Sequence, residues 1–118
     1  MTDTDQERGY SFPEFDLMEK YYPEFEAVRK AKVSEAYTPK NAELPVAMRE
    51  IIAAAVLAYK AYPTIEFHLR RAIREGATMR QLVEAMACAS MPGGGPTLQF
   101  SLRYLREIEA DIEAGRPV

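Results

Sequence analysis

At 118 residues the chain has room for one hydrophobic core and not for two. Apolar residues make up 47% and charged residues 28%, the balance of a folded globular protein, which excludes a disordered or fibrous chain. A net charge of −3 with both signs interspersed leaves no basic stripe for a phosphate backbone, so nucleic acid is not an expected partner.

The polar, acidic start from Met1 to Arg8 carries nothing apolar to anchor it, and residues 1–12 read as a flexible tail ahead of a single domain over 13–118. Pro13-Glu14 opens a short helical segment with Phe15, Leu17 and Met18 that ends near Tyr22. Pro23 begins a second helix with Phe25, Val28 and Val33 on one side, and Thr38, Pro39, Lys40 and Asn41 mark the loop after it. From Leu44 the periodicity is strongest: Pro45 can open a helix on which Met48, Ile51, Ile52, Ala55, Val56 and Tyr59 recur every three or four residues. Apolar almost all round from Ile51 to Ala58, it reads as a central helix surrounded by others, with a neighbouring subunit contributing to its burial.

Pro63 is expected to break the chain, and Thr64 to cap a helix whose inward side carries Ile65, Leu69, Ala72 and Ile73 and which ends at Gly76. Thr78 stands at the next N-cap, before Leu82, Val83, Met86 and Ala87, in a helix running to about Ser90. Met91-Pro-Gly-Gly-Gly-Pro96 then reads as a turn, since neither a Walker loop nor a dinucleotide fingerprint surrounds it. The last helix sets Leu98, Leu102, Leu105 and Ile108 opposite Arg103, Arg106, Glu107 and Glu109, and stops at Gly115. No segment alternates like a strand, so the fold class is all-α.

Cys88 is the sole cysteine, which excludes an intramolecular disulfide and a paired-thiol zinc or redox site; it reads as buried and inert. No secretory signal or stretch long enough to span a bilayer is visible, and a soluble cytoplasmic protein is expected. His68, the sole histidine, borders an inward helix face beside Thr64, Ile65, Arg71 and Ala72, where it serves either packing or proton transfer. Glu50 shares a helix side with Val46, Ala53, Ala54 and Leu57; a carboxylate on an apolar stripe is either neutralised by an arginine or histidine or takes up a proton. Arg70 and Arg71 suit bidentate carboxylate binding or simple solvation.

The run Arg49-Glu-Ile-Ile-Ala-Ala-Ala-Val56, then Glu66-Phe-His-Leu-Arg-Arg-Ala-Ile-Arg-Glu-Gly-Ala-Thr78, then Val83-Glu-Ala-Met86 and Gly93-Gly-Gly-Pro96, resembles the carboxymuconolactone decarboxylase family from Leu44 to about Leu105. The AhpD-like peroxidases of this superfamily carry cysteines four and seven residues ahead of the histidine, where this chain has Thr64 and Ala61. Neither residue supplies a thiolate, so thiol peroxidase chemistry is not expected. The resemblance is to the cysteine-free branch. It implies an AhpD-like bundle of about six helices that assembles as a homo-oligomer, a trimer or hexamer. It also implies decarboxylation of a carboxylated unsaturated lactone, a small-molecule carboxylate, with no metal or organic cofactor. His68 would move the proton and Glu50 would set its protonation or share the relay, while Arg49 or Arg71 would hold a substrate carboxylate. A different proton-transfer lyase or isomerase on the same scaffold, or a non-catalytic ligand-binding oligomer, stays open.

Overall fold

Backbone constraints at proline and glycine punctuate the chain, which the computed structural model describes over residues 3–118. Its α-helices there are α1 (Asp3–Arg8), α2 (Asp16–Tyr21), α3 (Pro23–Tyr37), α4 (Val46–Lys60), α5 (Ile65–Arg74), α6 (Met79–Gly93) and α7 (Gly95–Glu113). A 3-10 turn, Pro13–Phe15, leads into α2, and no strand occurs among the described residues. The fold is therefore all-α. Among those residues no helix is long and apolar enough to cross a membrane.

Contacts divide the chain into two compact units, Met1–Glu43 and Leu44–Val118. In the first, α3 packs against α1 and α2. Helix α1 lies inside the stretch read from sequence as a tail, of which Met1 and Thr2 fall outside the described residues. Its last residue, Arg8, sets its guanidinium over the rings of Tyr10 and Tyr37, 4.6 and 4.3 Å from their centroids. Such cation–π contact desolvates the charge against aromatic faces and ties the segment down. Glu26 is buried on α3, bonded to Arg29, whose guanidinium lies 3.6 Å from the centroid of Phe15. The Arg29 hydrogen bond holds the Glu26 carboxyl below its ordinary range against the opposing effect of burial.

In the second unit α4 packs against α5, α6 and α7, and α7 also contacts α5 and α6. Ala54 and Ala58 on α4 meet Ile65, Leu69, Leu82, Met86, Leu105 and Ile108 in one buried cluster. The two alanines keep α4 thin on that side, so α5 can approach closely. The opposite side of α4 departs from the expectation of a helix surrounded within its own fold. Met48, Ile52, Val56 and Tyr59 are from 45% to 68% exposed.

Helix ends account for most differences from the sequence reading. Helix α4 stops before Pro63, in a Schellman motif: Tyr62 N–H donates to the Leu57 carbonyl (3.0 Å) and Ala61 N–H to that of Ala58 (3.2 Å), with Ala61 left-handed at φ 55°. The same pair of bonds closes α5 at Gly76 and α7 at Gly115, where glycine takes the positive φ without a Cβ penalty. Thr64 does not cap α5; its backbone is already helical and its side chain makes no cap bond. Thr78 does cap α6, in a reciprocal box with Gln81 (3.1 and 2.9 Å). Helix α6 runs through Pro92 to Gly93 rather than stopping at Ser90, and the expected turn narrows to Gly94, at φ 92° and ψ 169°. A Cβ on Gly93 would stand 2.7 Å from Thr97 Oγ1, so the start of α7 packs directly on its backbone.

Candidate functional site

On α4 the buried residues are Glu50, Ala54 and Ala58, one line at spacings of four. On α5 they are Ile65, His68, Leu69, Arg71 and Ala72. The apolar members carry that face into the core, and His68 and Arg71, three residues apart, ride on the same side. Both reach Glu50. His68 Nδ1 lies 3.2 Å from Glu50 Oε2, and Arg71 Nη1 lies 3.6 Å from Glu50 Oε1. A carboxylate oxygen can only accept, so Nδ1 is the donor to Oε2.

The side chains of Glu50, Arg71 and His68 are 0%, 2% and 8% exposed. An isolated buried carboxylate costs several kcal/mol, about as much as an opposite charge at this range returns. Arg71 supplies that charge, and its Nη2 also lies 3.8 Å from Glu75 Oε1 on the rim of α5. His68 is the member of the group with an edge toward the outside. The arrangement presents one imidazole whose Nδ1 is engaged and oriented by a carboxylate.

Of the residues singled out from sequence, Glu50, His68 and Arg71 come together. Arg49 does not join them through any bond described: its Nε donates to the Leu44 carbonyl (3.1 Å) at the start of α4. One residue of α-helix is a turn of about 100°, so neighbours 49 and 50 point apart. Arg70, expected as a clamp or a solvated charge, instead bonds Glu66 (3.1 Å) and Asp111 (2.7 Å). Burial works against its charge, but these two carboxylates outweigh it and raise its pKa. Asp111 also accepts from Arg116 at 2.7 Å, and Arg116 and Arg70 together hold its carboxyl below the ordinary range. Cys88 is exposed rather than buried.

Glu75 and Arg74 were missed in the sequence, because on an amphipathic helix such residues read as solvated. Arg74 donates to the Val118 carbonyl (2.8 Å), and its pKa is lowered by partial burial and then by the charge of Arg71. Their position is the available signal: Arg74, the last residue of α5, and Glu75, its C-cap, each lie about one turn from Arg71. A shallow groove of about 360 Å³ along α7, lined by Gly95, Leu98, Gln99, Leu102, Arg103 and Arg106, includes neither His68 nor Glu50.

A two-unit helical chain with a histidine and a glutamate joined across adjacent helices defines a class, and residues 22–107 match the model of the Carboxymuconolactone decarboxylase family. The chain belongs to that family. The match begins at Tyr22 and so takes in α3, which the resemblance seen in sequence did not reach. An uncharacterized protein of Cupriavidus necator is 32% identical over 87 residues, 73% of this chain and 72% of the relative. A crystal structure from Burkholderia xenovorans, described as a candidate carboxymuconolactone decarboxylase, superposes with a TM-score of 0.78 over 95% of this chain and 90% of that one. At 18% identity it shows a shared fold.

Proposed function

We propose that this protein is a cofactor-independent decarboxylase acting on a carboxylated unsaturated lactone of the γ-carboxymuconolactone type, an intermediate of aromatic breakdown, in the cytoplasm. The observation that carries the reading is the buried contact of His68 Nδ1 with Glu50 Oε2 at 3.2 Å. It accompanies membership of the family.

In such a substrate the carboxylate-bearing carbon is conjugated through a carbon–carbon double bond to the lactone carbonyl. The bond to the carboxylate breaks, carbon dioxide leaves, and the electron pair passes through the double bond to the lactone carbonyl oxygen as a dienolate. A proton then returns to carbon, restoring the carbonyl. His68, with its Nδ1 hydrogen held by Glu50, takes up a proton from water at Nε2 and delivers it to that carbon; general acid catalysis of this kind contributes about 10²–10⁴ in rate. The conjugated lactone is its own electron sink.

A homo-oligomer belongs to the same proposal. The outward side of α4, with Ile52, Val56 and Tyr59 each more than half exposed, offers an apolar face for a second copy.

The test is an ultraviolet assay of γ-carboxymuconolactone consumption with carbon dioxide trapped, on the wild type and on His68→Ala and Glu50→Gln. Turnover that falls about 100-fold or more in His68→Ala, with the assembly unchanged on a sizing column, supports the reading. Wild-type protein that releases no carbon dioxide from this lactone, or His68→Ala that turns over normally, overturns it.

A further inference from the structure

Arg71 was expected to hold a substrate carboxylate, and its surroundings assign it other work. The guanidinium is 2% exposed and faces Oε1 of Glu50, while His68 takes Oε2, so one carboxylate is divided between two side chains of the same helix. Residues 68 and 71 are fixed in register by one turn of α5. Glu75 Oε1 lies 3.8 Å from Arg71 Nη2, a second carboxylate beside the same guanidinium.

We infer that Arg71 is a positioning residue that acts through Glu50: its guanidinium faces Oε1 and leaves Oε2 turned to Nδ1, and so fixes which nitrogen of His68 carries the hydrogen. The proton count makes the point. Facing a carboxylate, a neutral imidazole must carry its hydrogen on Nδ1 and leave Nε2 to accept or pass on a proton. Facing a neutral carboxylic acid, the Glu50 hydroxyl can donate to a bare Nδ1, the ring hydrogen moves to Nε2, and the outward nitrogen changes from acceptor to donor. The neighbouring cation disfavours the second arrangement. The inference rests on the proposed role of His68, but its main test needs no substrate.

His68 is the sole histidine, so its two ring nitrogens give unambiguous signals in 15N-labelled protein. Spectra of the whole, unliganded protein are recorded at one mildly alkaline pH, where a free imidazole is neutral. Wild type is expected to show hydrogen on Nδ1. Arg71→Met is expected to move hydrogen toward Nε2, and Arg71→Lys, which restores a cation, to return the wild-type pattern. If Arg71→Met does not fold, Arg71→Gln carries the same expectation, and Glu50→Gln, which removes the anionic acceptor directly, must also disturb the pattern. A folded, charge-free variant at 71 with the wild-type nitrogen pattern overturns the inference, as does a wild type with hydrogen on Nε2.

Where the lactone is turned over, a positioning role lowers kcat by at least about tenfold and leaves KM nearly unchanged, whereas a substrate clamp raises KM. If no lactone is turned over but the nitrogen pattern responds as stated, the functional reading fails and the role of Arg71 stands. If turnover depends on His68 but the pattern ignores residue 71, the reverse holds.

Discussion

Replacing Glu50 with glutamine changes one oxygen for a nitrogen and removes a charge, so it tests the electrostatics of the site with little change in shape. At the 3.6 Å separation from Arg71, and with an effective dielectric constant of about 20, the lost attraction is about 4–5 kcal/mol. The Arg71 guanidinium stays 2% exposed, with Glu75 a carboxylate still beside it at 3.8 Å. Glu75 is 39% exposed and so well screened. We therefore expect Glu50→Gln to destabilise by about 3–5 kcal/mol, the range for stripping one partner from a buried pair. Arg71→Met should cost less, because the Glu50 carboxyl keeps its hydrogen bond to His68 through Oε2. The double variant removes both charges, and its loss should fall short of the summed single losses by about 2 kcal/mol or more. Urea unfolding of all four proteins at one fixed subunit concentration measures the cycle. Single losses that add to within about 0.5 kcal/mol would refute the account of Glu50 and Arg71 as one electrostatic unit.

Gly94→Ala should destabilise by about 1–3 kcal/mol, because φ 92° with ψ 169° is a region that side chains avoid. Gly95→Ala, at a position with open space around a new Cβ, should be neutral or stabilising, and equal thermal midpoints for the two variants would count against this placement of the turn. Thr78→Ala should cost about 0.5–2 kcal/mol by opening the capping box, and a variant as stable as wild type in urea would show that the box contributes nothing. The depressed carboxyl of Asp111 adds stability that is fully present above its unfolded value near 3.8 and is lost as pH falls through its lower folded value. Asp111→Asn should therefore flatten the acid limb of the stability curve below about pH 4 and leave its slope near neutrality unchanged, as measured by unfolding midpoints across pH.

The second unit was legible where burial and periodicity coincide. Ile65, Leu69, Leu82, Met86, Leu105 and Ile108 all fall on the expected inward sides, because the 3.6-residue repeat alone decides which side chains share a face. Glu50 and His68 stood out for the same reason, as polar groups on or beside an apolar stripe. Their separation was not legible, since it depends on how α4 and α5 close on each other. Arg71 read as a substrate clamp or a solvated charge because burial of a guanidinium is decided by a carboxylate on another helix, which no local pattern records. Ala61 gave no warning of a helix end, because alanine is the strongest helix former and is left-handed here only through the two bonds of the Schellman motif. The glycine run concealed which of three glycines turns, and a Cβ test separates them: contact at Gly93, positive φ at Gly94, open space at Gly95. Helix α1 is tied by Arg8 to Tyr37, a contact too distant in sequence to leave a periodic trace.

The short link from Ala61 to Thr64 makes α4 and α5 a helical hairpin, and that has a kinetic consequence. Glu50, His68, Arg71 and Glu75 all lie on this one hairpin, so the charge that would be most costly to bury alone meets its partners by local closure. In a folding order where the hairpin closes before α6 and α7 dock, the carboxylate meets its cation first. A chain assembled in that order never has to trap a bare anion on its way to the native state, and the polar centre imposes no long-range search on the rest of the fold.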